Sequence, residues 1–234
     1  MFKPGDRHYS GRMGHDHKVF ARVYSLIAHL EDGGSVGRAR RRVCAPLRGR
    51  VVIVGLGPGL DLHHLPAAVT EVIAVEPSAS MRRLAHPQVR RARAAGLAVT
   101  LLDECAERLP LADNSVDGVL FSFVLCTVQQ PDLAIAEARR VLRADGSLAV
   151  LEHVGAARGS RLARLQRWIA PLWHRFGGGC HCDRDTRSRL TEGGFATREL
   201  IDLRIPGLPL PVSQVIEGEA RVPTGWRSAH PAAD

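Results

Sequence analysis

A glycine-rich run followed by a single acidic residue is the part of this sequence best suited to hold a small ligand. Residues 54–59 read VGLGPG, and glycine at every second position permits a tight turn and a close approach of the backbone to a ligand. Glu76 follows about 20 residues later, at the offset expected of a carboxylate that accepts hydrogen bonds from both hydroxyls of a ribose. The pattern predicts a ribose-containing ligand bound by Gly55, Gly57, Gly59 and Glu76.

The residue types leave three interpretations of this loop open. NAD and S-adenosylmethionine each present a ribose that suits Glu76, whereas the extra phosphate of NADP would meet the negative charge of that carboxylate. A pyrophosphate could instead bind at the start of the helix that follows the loop. The third interpretation is a tight strand-to-helix turn that binds nothing, since a short glycine pattern alone is weak evidence.

Strand-like and helix-like patterns alternate along the chain around this loop. Continuous apolar runs predict buried parallel strands, over residues 51–54, 72–75, 97–102, 116–124 and 147–151. Apolar residues at helical spacing predict helices, over residues 17–31, 78–95, 131–143 and 161–176. Pro87 is expected to break the second of these helices into two pieces, and Pro171 to kink the last. The alternation predicts an α/β fold, a doubly wound and mostly parallel sheet with helices on both faces, whose ligands bind beyond the carboxyl ends of the strands.

The composition fits one domain in a chain of 234 residues, of which 45% are apolar. We expect the domain to cover residues 17–222, with flexible tails at 1–16 and 223–234. No apolar run approaches the length that spans a bilayer, and the first residues lack the apolar segment of a secretory signal, so a cytoplasmic protein is expected. The odd number of cysteines, five, argues against a disulfide framework.

The net charge of +8 is interpreted as a generally basic surface rather than as a nucleic-acid site. Only 5% of the residues are aromatic, which leaves few platforms on which bases could stack. We therefore expect no nucleic-acid partner.

A series of motifs in a fixed order resembles that of class I methyltransferases. After the glycine loop and its acidic residue come Asp103, the segment CAERLP at 105–110, the segment SVD at 115–117 and the run RRVLRADG at 139–146. The resemblance implies the seven-stranded, Rossmann-like fold of that family, with S-adenosylmethionine as cofactor.

The resemblance also implies which residues contact the cofactor. In that family the glycine loop wraps the methionine part, the carboxylate after the second strand binds the ribose, and later segments border the adenine and the methionyl tail. The matching positions are Gly55, Gly57, Gly59, Glu76, Pro77, Cys105, Ala106, Glu107, Ser122 and Leu125. The family usually has an acidic residue near the cofactor's amine, two positions before the first glycine, where this chain has Ile53.

Segments over residues 17–222 resemble more narrowly the methyltransferase-like proteins that include alkyl thiol S-methyltransferases, and their bacterial relatives. They read FARVY at 20–24, VLCTV at 124–128, EHV at 152–154, GGCHCDRDT at 178–186 and PGLPLPV at 206–212. The resemblance implies methyl transfer to a small, apolar acceptor, with a thiol or hydroxyl favoured, since a thiol of pKa about 8.5 needs little help to ionise. The alternatives are an amine or phospholipid N-methyltransferase and a non-catalytic cofactor-binding module.

His153, just after the fifth predicted strand, and His181, in the run GGGCHC, are the candidates for a catalytic base. Each could equally be a hydrogen-bonded or pocket-lining side chain. A metal at residues 180–182 is not expected, because zinc would need a second pair of ligands that the sequence does not offer.

Two predicted helices are placed to cover the site. Tyr24 lies on the apolar stripe of the first helix, and we expect it to close over the cofactor as part of a lid. The helix over 161–176 is interpreted as a cap on the acceptor pocket, and its tryptophans and arginines also suit contact with a membrane surface. Both interpretations of that helix favour an apolar acceptor.

Overall fold

Seven strands form one sheet in the computed structural model, which describes residues 18–223. The strands are β1 Gly49–Val54, β2 Val69–Val75, β3 Ala98–Leu102, β4 Val116–Ser122, β5 Leu142–His153, β6 Ile201–Arg204 and β7 Gln214–Arg221. The helices are α1 Lys18–Asp32, α2 Ser35–Cys44, α3 Ala79–Ala94, α4 Pro131–Val141, α5 Arg161–Phe176 and α6 Thr186–Glu192.

The strand order is β3-β2-β1-β4-β5-β7-β6, with β1 to β5 paired in parallel and β7 antiparallel to both of its neighbours. The predicted α/β fold with a mostly parallel, seven-stranded sheet is therefore confirmed. Along the sheet, the chain reverses its direction of winding between β1 and β4. A crevice beyond the carboxyl ends of those two strands is where ligands bind in such sheets.

Alternate residues of the central strands fill two apolar layers, because side chains of a strand point to opposite faces. In β1, Val52 and Val54 pack with α4 on one face, whereas Val51 and Ile53 pack with α2 and α3 on the other. Both faces are covered, which explains why the strands read as continuous apolar runs.

Pro87 does not break the second predicted helix, so that expectation was wrong. The helix α3 continues from Ala79 to Ala94 with Pro87 inside it. Ser78 is its N-cap, and the Ser78 side chain accepts a hydrogen bond from the N–H of Met81. Pro87 is exposed, and the buried residues Ala85 and Val89 hold the helix on the sheet. This packing offsets a cost of about 3 kcal/mol for proline inside a helix. The helix α5 runs from Arg161 to Phe176 with Pro171 inside it, and the kink expected there stays a prediction.

The ends of β4 and α4 also differ from the sequence prediction, and β1, β2 and β5 are longer than predicted. The fourth strand ends at Ser122 rather than at residue 124, because Phe123 takes a left-handed conformation with φ of 59°. The helix α4 ends at Val141, because Leu142 is extended and already pairs with Val116 of β4. The tail expected over 1–16, and all but the first residue of that expected over 223–234, lie outside the described residues.

Among residues 18–223, no helix combines the length and the apolar character that a membrane crossing requires.

Candidate active site at the carboxyl ends of the strands

The glycine loop lies between β1 and a short 3₁₀ turn at Leu60–His63, and Glu76 braces it from the end of β2. The N–H of Gly57 donates to Oε2 of Glu76 at 2.8 Å, and the N–H of Ser78 donates to Oε1 at 2.9 Å. Burial raises the pKa of Glu76, and these two hydrogen bonds partly offset that rise. The sequence therefore identified a carboxylate that lies against the loop, with both oxygens at the carboxyl ends of the strands.

Two glycines of the loop are needed for different reasons. A Cβ on Gly55 would lie 2.5 Å from the Cγ2 atom of Val124, so the close approach of the next loop excludes a side chain there. A Cβ on Gly57 would meet nothing nearer than the carbonyl oxygen of Gly55 at 4.0 Å. The space beside Gly57 is therefore open to a ligand, and both glycines have positive φ, of 67° and 55°.

The segment after β3 is held next to Glu76 by an arginine. Arg82 of α3 donates to the carbonyl oxygen of Glu76 at 2.7 Å and to both carboxylate oxygens of Asp103, at 2.5 and 2.6 Å. Pro77 follows Glu76 directly, and Cys105, Ala106 and Glu107 follow Asp103 in the segment after β3. Ala106 is buried and the other two are half-buried, so Ala106 offers an apolar side chain that can border a flat ring.

A buried glutamate that the sequence analysis missed fixes the loop after β4. Glu152, at the end of β5, is fully buried and accepts hydrogen bonds from the N–H groups of Val124, Leu125 and Cys126, at 2.7, 2.8 and 3.2 Å. Burial raises the pKa of Glu152 to about 7, against the opposing effect of the three hydrogen bonds. The signal in the sequence was an acidic residue at the end of an otherwise apolar strand.

Around this loop the structure brings together Ser122, Phe123 and His153. The hydroxyl of Ser122 accepts a hydrogen bond from Arg40 of α2 at 3.2 Å, and the guanidinium carbon of Arg40 lies 5.4 Å from the ring centre of Phe123. The ring of His153 stacks on Phe123, with centres 4.5 Å apart. Burial holds the pKa of His153 down to about 4, so its ring is neutral at physiological pH.

His181 lies in a different neighbourhood from His153. Its backbone N–H donates to the carbonyl oxygen of Cys126 at 2.7 Å, and its ring lies 4.3 Å from that of His174. The ring borders an open, polar depression of about 640 Å³ together with Asp183 and Arg184. Partial burial, Arg184 and His174 lower the pKa of His181.

Next to His181, an apolar cluster of thiols lies under the helix α5. Cys126, Cys180 and Cys182 are buried with Val212, and Trp173 and Leu208 pack against them. The five cysteines are free thiols. A hydrogen bond with Cys180 and burial together raise the pKa of Cys126. The thiols of this cluster therefore behave as small apolar groups.

A buried glutamine holds α5 above this cluster. The side-chain amide of Gln166 donates to the carbonyl oxygens of Val154, Cys182 and Pro211, at 3.1, 2.9 and 3.0 Å. Its carbonyl oxygen accepts from the N–H of Ala156 at 2.7 Å. The helix is therefore anchored to three separate segments, as a cap on this side of the site requires.

Tyr24 brings α1 to the same crevice. Burial raises the pKa of Tyr24 to about 12, and the charges of Arg40 and Asp61 are among those that act on its phenol. Its ring stacks on Phe20 at 5.6 Å, and Phe20 in turn lies against Gly178 in the segment after α5. The placement agrees with a covering role for α1, and closure over a cofactor stays a prediction.

Comparisons with known proteins find similarity to methyltransferases. A family described as "Methyltransferase domain" matches residues 52–150. Thiol S-methyltransferase TMT1B of Rattus norvegicus is 30% identical over 167 residues, which cover 71% of this chain and 68% of that protein. Ubiquinone/menaquinone biosynthesis C-methyltransferase UbiE of Syntrophotalea carbinolica is 32% identical over 151 residues, which cover 60% of this chain and 62% of that protein.

The fold is also similar to that of a geranyl diphosphate methyltransferase solved in complex with S-adenosylmethionine. The TM-score is 0.63 at 14% sequence identity, and the match covers 94% of this chain and 92% of the other. The family match at 52–150 includes the glycine loop, Glu76 and the loop after β4. It leaves out Arg40 before them, and Glu152, His153 and His181 after them.

The stability of the protein should depend on pH through Glu152. Its pKa is about 7 in the folded protein and about 4.3 in an unfolded chain, so the folded state binds more protons between these values. The free energy of unfolding should therefore fall as pH rises from about 4.5 to 7, by up to about 3 kcal/mol for this group. Urea unfolding at pH 5, 6, 7 and 8 measures the slope, and the difference between wild type and Glu152→Gln isolates the contribution of Glu152.

Glu107→Gln is the matched control, because Glu107 is half-buried on the loop after β3 and should leave the slope unchanged. Parallel pH profiles of the wild type and Glu152→Gln would show that Glu152 stays ionised throughout, and that its three backbone donors outweigh its burial.

Proposed function

The chain belongs to the methyltransferase domain family and is an S-adenosylmethionine-dependent methyltransferase, and on that premise we propose that it methylates a small, apolar acceptor, preferably a thiol. The observation that carries the choice of acceptor is the apolar cluster around Cys126, which lies between the loop after β4 and the cap helix α5. An acceptor that binds against this cluster would meet apolar side chains, which favours an apolar ligand. The similarity to a protein named thiol S-methyltransferase supports the thiol over the hydroxyl.

The residues at the strand ends fit the cofactor. The open space beside Gly57 gives the backbone access to a ligand, and the Glu76 carboxylate at the same edge is suited to accept from ribose hydroxyls. Ala106 and its neighbours would border the adenine, and Ser122 and Leu125 the methionine part. When bound, S-adenosylmethionine supplies a methyl group on a positively charged sulfur, which is electrophilic without help from the protein.

The protein's own task is then to exclude water and to position the acceptor. Alignment of the reacting atoms can contribute several kcal/mol, up to about 7–11 kcal/mol in well-oriented systems. The Glu152 carboxylate fixes the loop after β4, and Gln166 fixes the cap helix, so both walls of the acceptor pocket are held by buried hydrogen bonds.

His181 is the better of the two candidate bases. A base works best when its pKa is near the working pH, and the pKa of His153, about 4, is far below it. The ring of His181 is only partly buried, and its backbone is held next to the thiol cluster by the hydrogen bond to Cys126. We assign His181 to proton removal from the acceptor and His153 to the wall of the pocket.

The first test is release of S-adenosylhomocysteine from the purified protein with S-adenosylmethionine and a short alkyl thiol. We expect turnover in the wild type and a loss of about 100-fold in Glu76→Ala, since two hydrogen bonds to the ribose and the brace on Gly57 are removed. Glu71→Ala is the matched control, because Glu71 lies on β2, the strand that leads to Glu76, and pairs with Arg50 instead, at 3.1 Å.

Each departure from this result has a separate meaning. Turnover with a phenol or alcohol and none with thiols would overturn the thiol and keep the hydroxyl. Full activity of Glu76→Ala would contradict the placement of the cofactor. Cofactor binding without turnover of any acceptor would favour a non-catalytic binding module.

The role of His181 is tested by changing the acidity of the acceptor. With an alkyl thiol, His181→Asn should lower kcat/KM by about 100-fold, and His153→Asn should change it little. With an acidic aryl thiol, which is already ionised, both variants should match the wild type. Equal losses for His181→Asn on both thiols would show that this histidine shapes the pocket and moves no proton.

A second candidate acceptor, the amine headgroup of a membrane lipid, is favoured by the outer face of α5. Trp168, Leu172 and Phe176 lie on one side of that helix and are exposed, Trp168 by 81%. The helix has four arginines and no acidic residue, which suits a surface of anionic lipids. Contact of this face with a membrane surface is part of the same proposal.

Vesicle flotation separates the two candidates. The protein should float with vesicles that contain anionic phosphatidylglycerol, and Trp168→Ser/Leu172→Ser/Phe176→Ser should lose most of that binding. Leu133→Ser/Ile201→Ser is the matched control, because these exposed apolar residues lie on α4 and β6. Release of S-adenosylhomocysteine on addition of phosphatidylethanolamine vesicles would favour the lipid acceptor, and flotation equal for wild type and triple variant would contradict the membrane contact.

A further inference from the structure

Two buried side chains of opposite charge lie beside the glycine loop, and nothing above gives them a role. Arg40 of α2 is 6% exposed, and Asp61, in the 3₁₀ turn directly after Gly59, is 2% exposed. The Nη1 atom of Arg40 donates to Oδ1 of Asp61 at 2.7 Å and to the Ser122 hydroxyl at 3.2 Å. The pair therefore joins the segment that follows the glycine loop to the end of β4, on the two sides of the crevice.

The pairing leaves the hydrogen-bonding capacity of Arg40 incomplete. A guanidinium has five N–H donors, and burying one is costly unless they are used. The buried Nε atom of Arg40 has no hydrogen-bond partner among the described residues, and the nearest carboxylate oxygen, Oδ1 of Asp32, lies at 3.5 Å. An unsatisfied donor on a buried cation points to a partner that is itself anionic and arrives with a ligand.

The position of the pair fits one end of the cofactor. Glu76, the other carboxylate at the loop, already accepts from two backbone N–H groups on the ribose side. Ile53, near the end of β1, is fully buried in the apolar layer shared with α2. Among the described residues that border the loop, Arg40 and Asp61 therefore form a pair of opposite charges, and Arg40 contacts Ser122. Tyr24 lies close to both members of the pair.

We propose that Arg40 and Asp61 bind the amino-acid end of S-adenosylmethionine, Arg40 its carboxylate and Asp61 its ammonium group. This inference rests on the proposed cofactor site and adds the residues that recognise the zwitterion. A buried pair of opposite charges matches a ligand that itself carries one charge of each sign, so each charge meets its opposite and none is left unpaired. Of the Asp61 oxygens, Oδ1 is used by Arg40, and Oδ2 would accept from the ammonium.

The test compares two ligands that differ only at this end. S-adenosylhomocysteine carries the amino-acid group, whereas 5′-methylthioadenosine has the same adenine, ribose and sulfur without it. Arg40→Lys and Asp61→Asn should each raise the Kd of S-adenosylhomocysteine at least about tenfold and change that of 5′-methylthioadenosine less than about twofold. Calorimetric titration measures both constants.

Two controls separate recognition from folding. Breaking one member of a buried pair can unfold a protein, whereas replacing both by apolar residues is often tolerated, so Arg40→Met/Asp61→Leu provides a folded variant with the same expected selectivity. Arg42→Lys should change neither affinity, because Arg42 of the same helix pairs with Glu217 at 2.6 Å. Glu76→Gln should weaken both ligands, since both contain the ribose.

Unchanged binding of S-adenosylhomocysteine by the folded double variant, or equal weakening of both ligands by it, would overturn the assignment of Arg40 and Asp61 and leave the cofactor site in place. Failure of the wild type to bind either ligand would overturn the cofactor site itself, and the inference with it.

Discussion

Three backbone N–H groups of one loop converge on the Glu152 carboxylate, and the arrangement of the crevice depends on that contact. Phe123 begins the loop in a left-handed conformation that costs about 1–3 kcal/mol for a residue other than glycine. The hydrogen bonds to Glu152 fix the next three residues and so offset this strain. They also set the place of Val124 against Gly55 and of Cys126 beneath α5, on the proposed cofactor side and acceptor side respectively.

Glu76, directly after β2, orders the glycine loop in the same way. Where a chain leaves a parallel sheet, its N–H groups lose their partners, and a buried N–H without an acceptor costs about 1–3 kcal/mol. Each of these two glutamates ends a strand and accepts from the backbone of an adjacent loop. The loops at the ligand crevice are thereby ordered by side chains of the rigid sheet, which explains how irregular backbone can form a defined site.

The parts of the site that the sequence predicted are those with a short-range signal. Gly55 and Gly57 lie within one turn, and Glu76 follows at the spacing of one strand–helix–strand unit, so sequence distance was enough to place them. Arg40 and Asp61 act through contacts between segments far apart in the chain, which no local pattern reveals. Glu152 does have a local signal, as an acidic residue ending an apolar strand, but the loop that it holds is also distant in sequence. The Arg40 side chain is instead enclosed because α2 buries the face that carries Val36 and Val43.

The errors in the helices and strands have the same origin. Pro87 lowers the local preference for helix, but tertiary packing of α3 decides the outcome, because a helix in a folded protein is stabilised mainly by its apolar face. The left-handed conformation of Phe123 cannot be predicted from its residue type either, since contacts with distant segments stabilise it, among them those of the next residues with Glu152.

The proposed apolar acceptor and the proposed membrane contact both involve the helix α5. Its inner side is fixed by Gln166 over the thiol cluster, and its outer side exposes Trp168 and Phe176 among arginines. A small apolar thiol concentrates in a lipid bilayer for the same reason that it enters an apolar pocket, namely removal of its surface from water. A helix that closes the acceptor pocket and also rests on a membrane would therefore place the entrance to that pocket where such a substrate is most abundant. Membrane contact and a small thiol acceptor are thus compatible features of one enzyme.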